Sequence, residues 1–261
     1  MLHDRIKNWH YGIVKRAYPR GMVFHHVPKC GGTSVGLAIR RRFLLSQATI
    51  IANASFRAVE ATIDDKGPMS VLDAARSFRE RMLLYHLYNG VRCVSAHVRF
   101  SPLAYDLFSE QYGFVTILRD PVQRYLSHYF MSFGREGHLG IEVSLEQFID
   151  TPLGNAYGAV YCDYYAGYPE GVDFTTSDAV DRAVDNLSKF AAVGFLDNMP
   201  AFRDQIGREF GFRPRIGHEN RATHDRRDAA RSVPESTLLR IQEICAPDIA
   251  VYSRARRALC P

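Results

Sequence analysis

Met22-Val23-Phe24-His25-His26-Val27-Pro28-Lys29-Cys30-Gly31-Gly32-Thr33-Ser34 is the stretch from which the fold is read. Residues 22–27 form a short apolar run of the length expected for a buried strand. Pro28 and the Gly31-Gly32 pair break it. Thr33 or Ser34 can then start a helix that runs toward Arg42.

The same alternation continues downstream. Strands are expected at 91–96, 114–118 and 191–196. Asp120 followed by Pro121 reads as a helix N-cap with proline at the first helical position, and that helix continues past Tyr129. Pro200 and Pro234 begin further helices. Short apolar strands alternating with helices imply a mainly parallel sheet covered on both faces. The expected fold is a P-loop-like three-layer α/β domain over residues 1–261, its central sheet flanked by helices. Segments 43–90 and 132–190 are too long for simple connections and read as elaborations that bind a substrate. The first holds an amphipathic helix at 69–89. The second is rich in Tyr and Gly, and Tyr157, Tyr161, Tyr164 and Tyr165 either stack on a ligand ring or pack in the core.

Composition narrows the function classes. Of 261 residues 46% are apolar and 23% charged, enough to build a core and unlike a disordered or fibrous chain. The formal charge of +5 favours anionic partners such as nucleotides, acidic glycans or nucleic acid, or else marks a plain solvated basic face. The five cysteines are odd in number, with no C-x-x-C pair, which argues against a disulfide framework or a zinc site and fits a reducing compartment. No apolar run approaches the roughly 20 residues that span a bilayer. Residues 1–20 lack the apolar centre of a signal peptide, so a cytoplasmic enzyme is the expectation.

Three features carry chemistry. The first is Lys29-Cys30-Gly31-Gly32-Thr33-Ser34, between a strand and a helix. Two glycines let the backbone approach an anion closely, the helix start offers unpaired N–H groups, Thr33 and Ser34 add hydroxyls, and Lys29 adds a mobile charge. Lysine precedes the glycines here, whereas a Walker A loop has it after them. The competing reading is an ordinary strand–turn–helix corner with a surface lysine. The second is Arg119-Asp120-Pro121-Val122-Gln123-Arg124-Tyr125-Leu126-Ser127-His128-Tyr129. Arg119 at a strand end and Ser127 about two turns into the following helix can converge on a phosphate. An apolar run ending in Asp120 also imitates a Walker B strand, although Pro121 favours a capping role. Arg124 is expected to pair with Asp120 or face solvent, and His128 to face away from Ser127. The third is His97, just past the strand at 91–96, a candidate general base with a structural role as the competing reading. His25 and His26 are rivals inside a strand that should be mostly buried. Late in the chain, the polar loop Gly217–His224 shows no familiar metal spacing in His218 and His224.

The P-K-C-G-G-T-S loop and the R-D-P-x-x-R-x-x-S-x-Y pattern, in this order and separation, resemble the 5′-phosphosulfate loop and 3′-phosphate motif of the sulfotransferases that use 3′-phosphoadenosine 5′-phosphosulfate (PAPS). The resemblance is closest to the carbohydrate branch that includes heparan-sulfate 2-O-sulfotransferase-like enzymes. It covers about 25 residues, with weaker similarity at Val193–Leu196 and Asp248–Tyr252. It implies that Lys29 and Gly31–Ser34, with Cys30 in the same loop, hold the 5′-phosphosulfate. It also implies that Arg119 and Ser127 hold the 3′-phosphate and that His97 is the base; Asn220 and Arg221 either belong to a loop closing over the nucleotide or sit in a plain exposed loop. The expected partners are the donor, released as 3′-phosphoadenosine 5′-phosphate (PAP), and a carbohydrate or other hydroxyl acceptor. No metal, nucleic acid or transmembrane segment is expected. Two other classes fit parts of the sequence: an ATP- and Mg²⁺-dependent kinase, and a non-catalytic protein that binds anionic glycans.

Overall fold

Four runs of small and apolar residues are buried along their whole length: Gly21–His25 (β1), Cys93–Ala96, Tyr112–Leu118 and Ala192–Phe195. Burial on both faces is the mark of a parallel sheet covered by helices. In the computed structural model, which describes residues 12–135, 140–167, 173–217 and 232–259, they form that sheet together with a fifth strand, Gln47–Ile50. Named in chain order, the strands are β1, β2 (Gln47–Ile50), β3 (Cys93–Ala96), β4 (Tyr112–Leu118) and β5 (Ala192–Phe195). The sheet order is β2-β3-β1-β4-β5 and every pairing is parallel.

Helices make the crossovers that parallel pairing requires. Helix α1 (Gly32–Arg40) follows β1, and α2 (Ala52–Glu60) and α3 (Pro68–Tyr88) lie between β2 and β3. Helix α4 (Pro102–Phe108) leads to β4, and α5 (Pro121–Ser132) leaves it. The return to β5 holds α6 (Leu145–Phe148), α7 (Pro152–Ala156), α8 (Val160–Tyr165) and α9 (Ser177–Ser188). Beyond β5 come α10 (Met199–Phe210), α11 (Glu235–Ile244) and α12 (Ala246–Leu259). The expected α/β class is found, and the expected helix starts hold. Asp120 caps α5 by accepting from the Gln123 N–H (2.9 Å), with Pro121 at the first helical position. Asn198 caps α10 in the same way. Among the described residues no helix is long and apolar enough to cross a membrane. Cys30, Cys93, Cys162 and Cys245 are free and buried, and Cys260 lies outside the described residues.

Segment 43–90 is more than an elaboration, because it contributes β2 to the sheet. Only Ile50 of that strand is buried, so its sequence carries no apolar run. An edge strand needs none. The rest of the segment packs α2 against α3 through Phe56, Val59, Val71 and Ala75.

Arg124 corrects an expectation. It is fully buried, 3.6 Å from the equally buried Asp248 in the first turn of α12, and it donates to the Tyr157 carbonyl. Its place on the inward face of α5 turns it away from Asp120, whose carboxylate is used by the cap. Asp248 Oδ1 also accepts from the main-chain N–H groups of Tyr161 (2.7 Å) and Cys162 (3.3 Å). One carboxylate therefore ties α12, α8 and α5 together. Asp248→Ala strands a buried guanidinium and two N–H donors, and is expected to lower unfolding free energy by about 3–5 kcal/mol in urea titrations. A loss below about 1 kcal/mol would show that this contact contributes little.

Candidate functional site

Because the strands run in one direction, their carboxyl ends share one edge of the sheet, the edge where open α/β sheets bind ligands. A cleft of about 1550 Å³ opens there. The register decides what meets in it. His25 pairs with Ala96 on one side and with Thr116 on the other. The next residues, His26 and His97, leave their strands side by side, the His26 N–H bonded to the Ala96 carbonyl (2.8 Å). Their rings stack with centroids 4.1 Å apart. His26 thus lies beyond the strand and lines the cleft, contrary to the expectation that it is buried within β1. His25 is the buried one, with Nδ1 3.1 Å from the Val98 carbonyl oxygen.

The loop after β1 turns sharply. Lys29 adopts a left-handed backbone (φ 68°), unusual for a residue with a side chain, and Gly31 does the same (φ 78°). Gly32 must be glycine, since a Cβ there would fall 2.0 Å from the His26 ring. Intrahelical bonding begins with the Val35 N–H to the Gly31 carbonyl (3.4 Å), so the preceding N–H groups have no acceptor within the helix. No side chain caps α1 and its first turn holds no acid. Gly31, Gly32, Thr33 and Ser34 line the cleft with Lys29, whose Nζ donates to Met131 Sδ on α5 (2.9 Å). Cys30 departs from its neighbours. Its side chain is buried away from the cleft, 3.4 Å from the Tyr161 hydroxyl, and its N–H closes the turn onto Val27. Burial pushes its thiol pKa up, so it contributes to the loop's shape rather than to its charge.

Arg119 leaves β4 and reaches across to this loop, Nη1 donating to the Lys29 carbonyl (3.3 Å). Its Nε is buried without a partner among the described residues. Tyr161 fixes the main chain of Arg119 from both sides, accepting from its N–H (2.9 Å) and donating to its carbonyl. The same hydroxyl touches Cys30, so one phenol joins the two motifs. The tyrosine cluster is packing: Tyr157, Tyr161, Tyr164 and Tyr165 are all buried, although Tyr157 and Tyr164 form part of the cleft wall. Ser127 lines the cleft on α5. His128 lines it too, instead of facing away, with its ring flat on Tyr157 (3.9 Å, 6°). Gly217 is on the wall, while His218, Asn220, Arg221 and His224 lie outside the described residues.

The cleft is strongly biased in charge. Lys29, Arg76, Arg79, Arg119, Arg135 and Arg203 line it, and no Asp or Glu does among the described residues. Such a surface concentrates anions. The histidines do not add to the positive field near neutrality. Burial lowers the pKa of His25 and His97 to about 4, Arg79 adding to the effect at His97. Burial also lowers His26 and His128 well below the usual imidazole value. His97 is therefore a neutral imidazole on the cleft wall, able to accept a proton. Compared with known proteins, the chain matches no family model and no curated protein.

The four imidazoles also weigh on acid stability, outnumbering the opposing effect of Asp248, whose carboxyl is raised to about 7 by burial. Unfolded, they bind protons near pH 6.5; folded, they resist doing so, His25 and His97 until about pH 4. Between those values the unfolded chain holds more protons, so stability falls as pH falls. Urea midpoints are expected to drop steadily from pH 6.5 to pH 4. A flat profile would mean that these rings are charged within the fold.

Proposed function

We propose that the protein is a sulfotransferase that moves the sulfuryl group of PAPS to a hydroxyl, most naturally one on a carbohydrate or glycoconjugate. One observation carries the reading. A cleft lined by six cations and no described carboxylate joins an uncapped helix start, a loop lysine and an arginine with a buried unpaired Nε to a neutral imidazole. Its charge suits a donor with phosphates at both ends. The ATP-dependent alternative is less well served, because the described cleft wall offers no carboxylate to hold Mg²⁺ between phosphates.

In this reading the N–H groups of Gly32 and its neighbours, with Lys29, hold the 5′-phosphosulfate, and Arg119 with Ser127 holds the 3′-phosphate. The acceptor oxygen attacks sulfur and forms the new S–O bond. The bond from sulfur to the bridging oxygen breaks, and its electron pair leaves with PAP. His97 takes the acceptor's proton. A pKa of about 4 makes His97 a weak base in the free protein. The anionic donor opposes the surrounding cations and raises it toward a useful value. Lys29 neutralises charge growing on the bridging oxygen, where stabilisation is specific to the transition state. No step passes through a covalent enzyme intermediate.

Calorimetric titration with PAP, against ADP with and without Mg²⁺, tests the donor. Micromolar binding of PAP, clearly tighter than ADP, is expected; a preference for ADP with Mg²⁺ would transfer the reading to a kinase. Lys29→Ala is expected to lower turnover by about a hundredfold or more, since losing one transition-state donor costs about 2.7–4 kcal/mol. A loss under about tenfold in a folded variant would remove Lys29 from the chemistry. Arg119→Ala is expected to weaken PAP binding roughly ten- to hundredfold, the range for a charge-assisted bond worth about 1.5–3 kcal/mol. Unchanged affinity would displace the 3′-phosphate from this arginine.

A further inference from the structure

Helix α3 carries two arginines into the cleft, and the structure treats them differently. Arg76 is paired with Asp73 (2.7 Å) and with the buried Asp163, which also binds Arg99. Arg79, one turn further on, is 3% exposed and forms no ion pair among the described residues. Its hydrogen bonds all go to neutral groups. Nε donates to Ser55 Oγ (2.6 Å), Nη2 to the Ala52 carbonyl (3.3 Å) and Nη1 to the His97 carbonyl (3.4 Å). The guanidinium carbon lies 4.5 Å from the centre of the Phe56 ring. A buried cation with no counter-charge is destabilising, so its retention calls for a role beyond packing.

We propose that Arg79 is a positioning residue for His97, holding its main chain against α2 and α3 and supplying the positive charge that keeps its imidazole neutral until an anionic ligand binds. The inference rests on reading His97 as the base. The geometry is specific. Three N–H groups of one planar fork clamp the start of α2 and the first residue after β3, so the imidazole is anchored at its own backbone. On its ring side, His97 is held by the stack with His26. The titratable and charged groups that face it are His26 from the loop after β1, His128 from α5 and Arg79 from α3. Both neighbouring imidazoles are neutral near pH 7, and Arg99, two residues on, is neutralised by Asp163. Arg79 is then the charge that His97 feels, and it disfavours a proton there until an anionic ligand balances it.

The test follows the His97 imidazole by NMR across pH in the wild type, Arg79→Gln and Arg79→Lys, with the resonance assigned from His97→Gln. Turnover and PAP affinity are measured on the same proteins. In the wild type the ring is expected to stay neutral down to about pH 4. In Arg79→Gln the midpoint should rise by about one unit or more, because one nearby positive charge is gone. Turnover should fall about tenfold or more, a larger factor than any accompanying loss of PAP affinity from the missing cleft charge. Arg79→Lys keeps the charge and loses the fork, so it should titrate like the wild type yet turn over slowly. An unmoved midpoint in Arg79→Gln overturns the electrostatic half of the proposal, and wild-type turnover in Arg79→Lys overturns the positioning half. Should Arg79→Gln fail to fold, the Lys variant decides: slow turnover with an unshifted midpoint supports the proposal, and unimpaired turnover rejects it. The titration needs neither donor nor acceptor, so a protein that transfers no sulfuryl group would fail the functional reading alone.

Discussion

The central constraint in this molecule is the parallel pairing of β1 between β3 and β4. That pairing sets His25 level with Ala96 and Thr116, and the histidine pair, the glycine turn and Arg119 follow from what comes one to nine residues later. His26 and His97 emerge together, the glycine turn carries α1 away, and Arg119 reaches the turn from the far side. A slip of one residue in either pairing would send alternate side chains to the opposite face of the sheet and separate the two imidazoles. The burial of β1, β3, β4 and β5 therefore protects the site as well as the core.

A second theme is how the chain distributes carboxylates among its arginines. Asp248 is buried against Arg124 and fastens three helices. Asp163 is shared by Arg76 and Arg99 at the edge of the cleft. Among the described residues Arg79 and Arg119 receive none, and each donates to a main-chain carbonyl beside the cleft, Arg79 to His97 and Arg119 to Lys29. The unmatched charge is thus concentrated where a polyanionic ligand would complete it, while the paired arginines hold the surrounding structure. Tyr161 completes the arrangement without charge by tying the Arg119 main chain to the turn at Cys30.

Much of the sheet was legible because buried parallel strands show themselves as continuous apolar runs, and the helices because Pro121, Pro200 and Pro234 mark their starts. β2 was not, since an edge strand with one buried residue looks like loop sequence. The glycine turn after β1 was legible because its parts are contiguous. Its supports were not: Tyr161 lies 131 residues from Cys30, Asp248 lies 87 from Tyr161, and no local pattern announces such pairs. Arg124 and His128 were misread for the same reason. Rotation about α5 is readable from sequence, but what waits on its inward face is not. His26 was misplaced by a single residue, because the apolar pattern runs on to Val27 whereas the strand ends at His25.

The left-handed backbone at Lys29 has a consequence of a different kind. An L-residue with a side chain in that region is strained by about 1–2 kcal/mol, and glycine is not. Selection for stability alone would therefore replace this lysine, and the substitution would leave the fold firmer and the cleft without one of its cations. If Lys29 carries the proposed chemistry, position 29 is where thermal robustness and activity pull in opposite directions. A sequence recovered from a screen for heat resistance, with no demand for turnover, would be expected to lose its function there first.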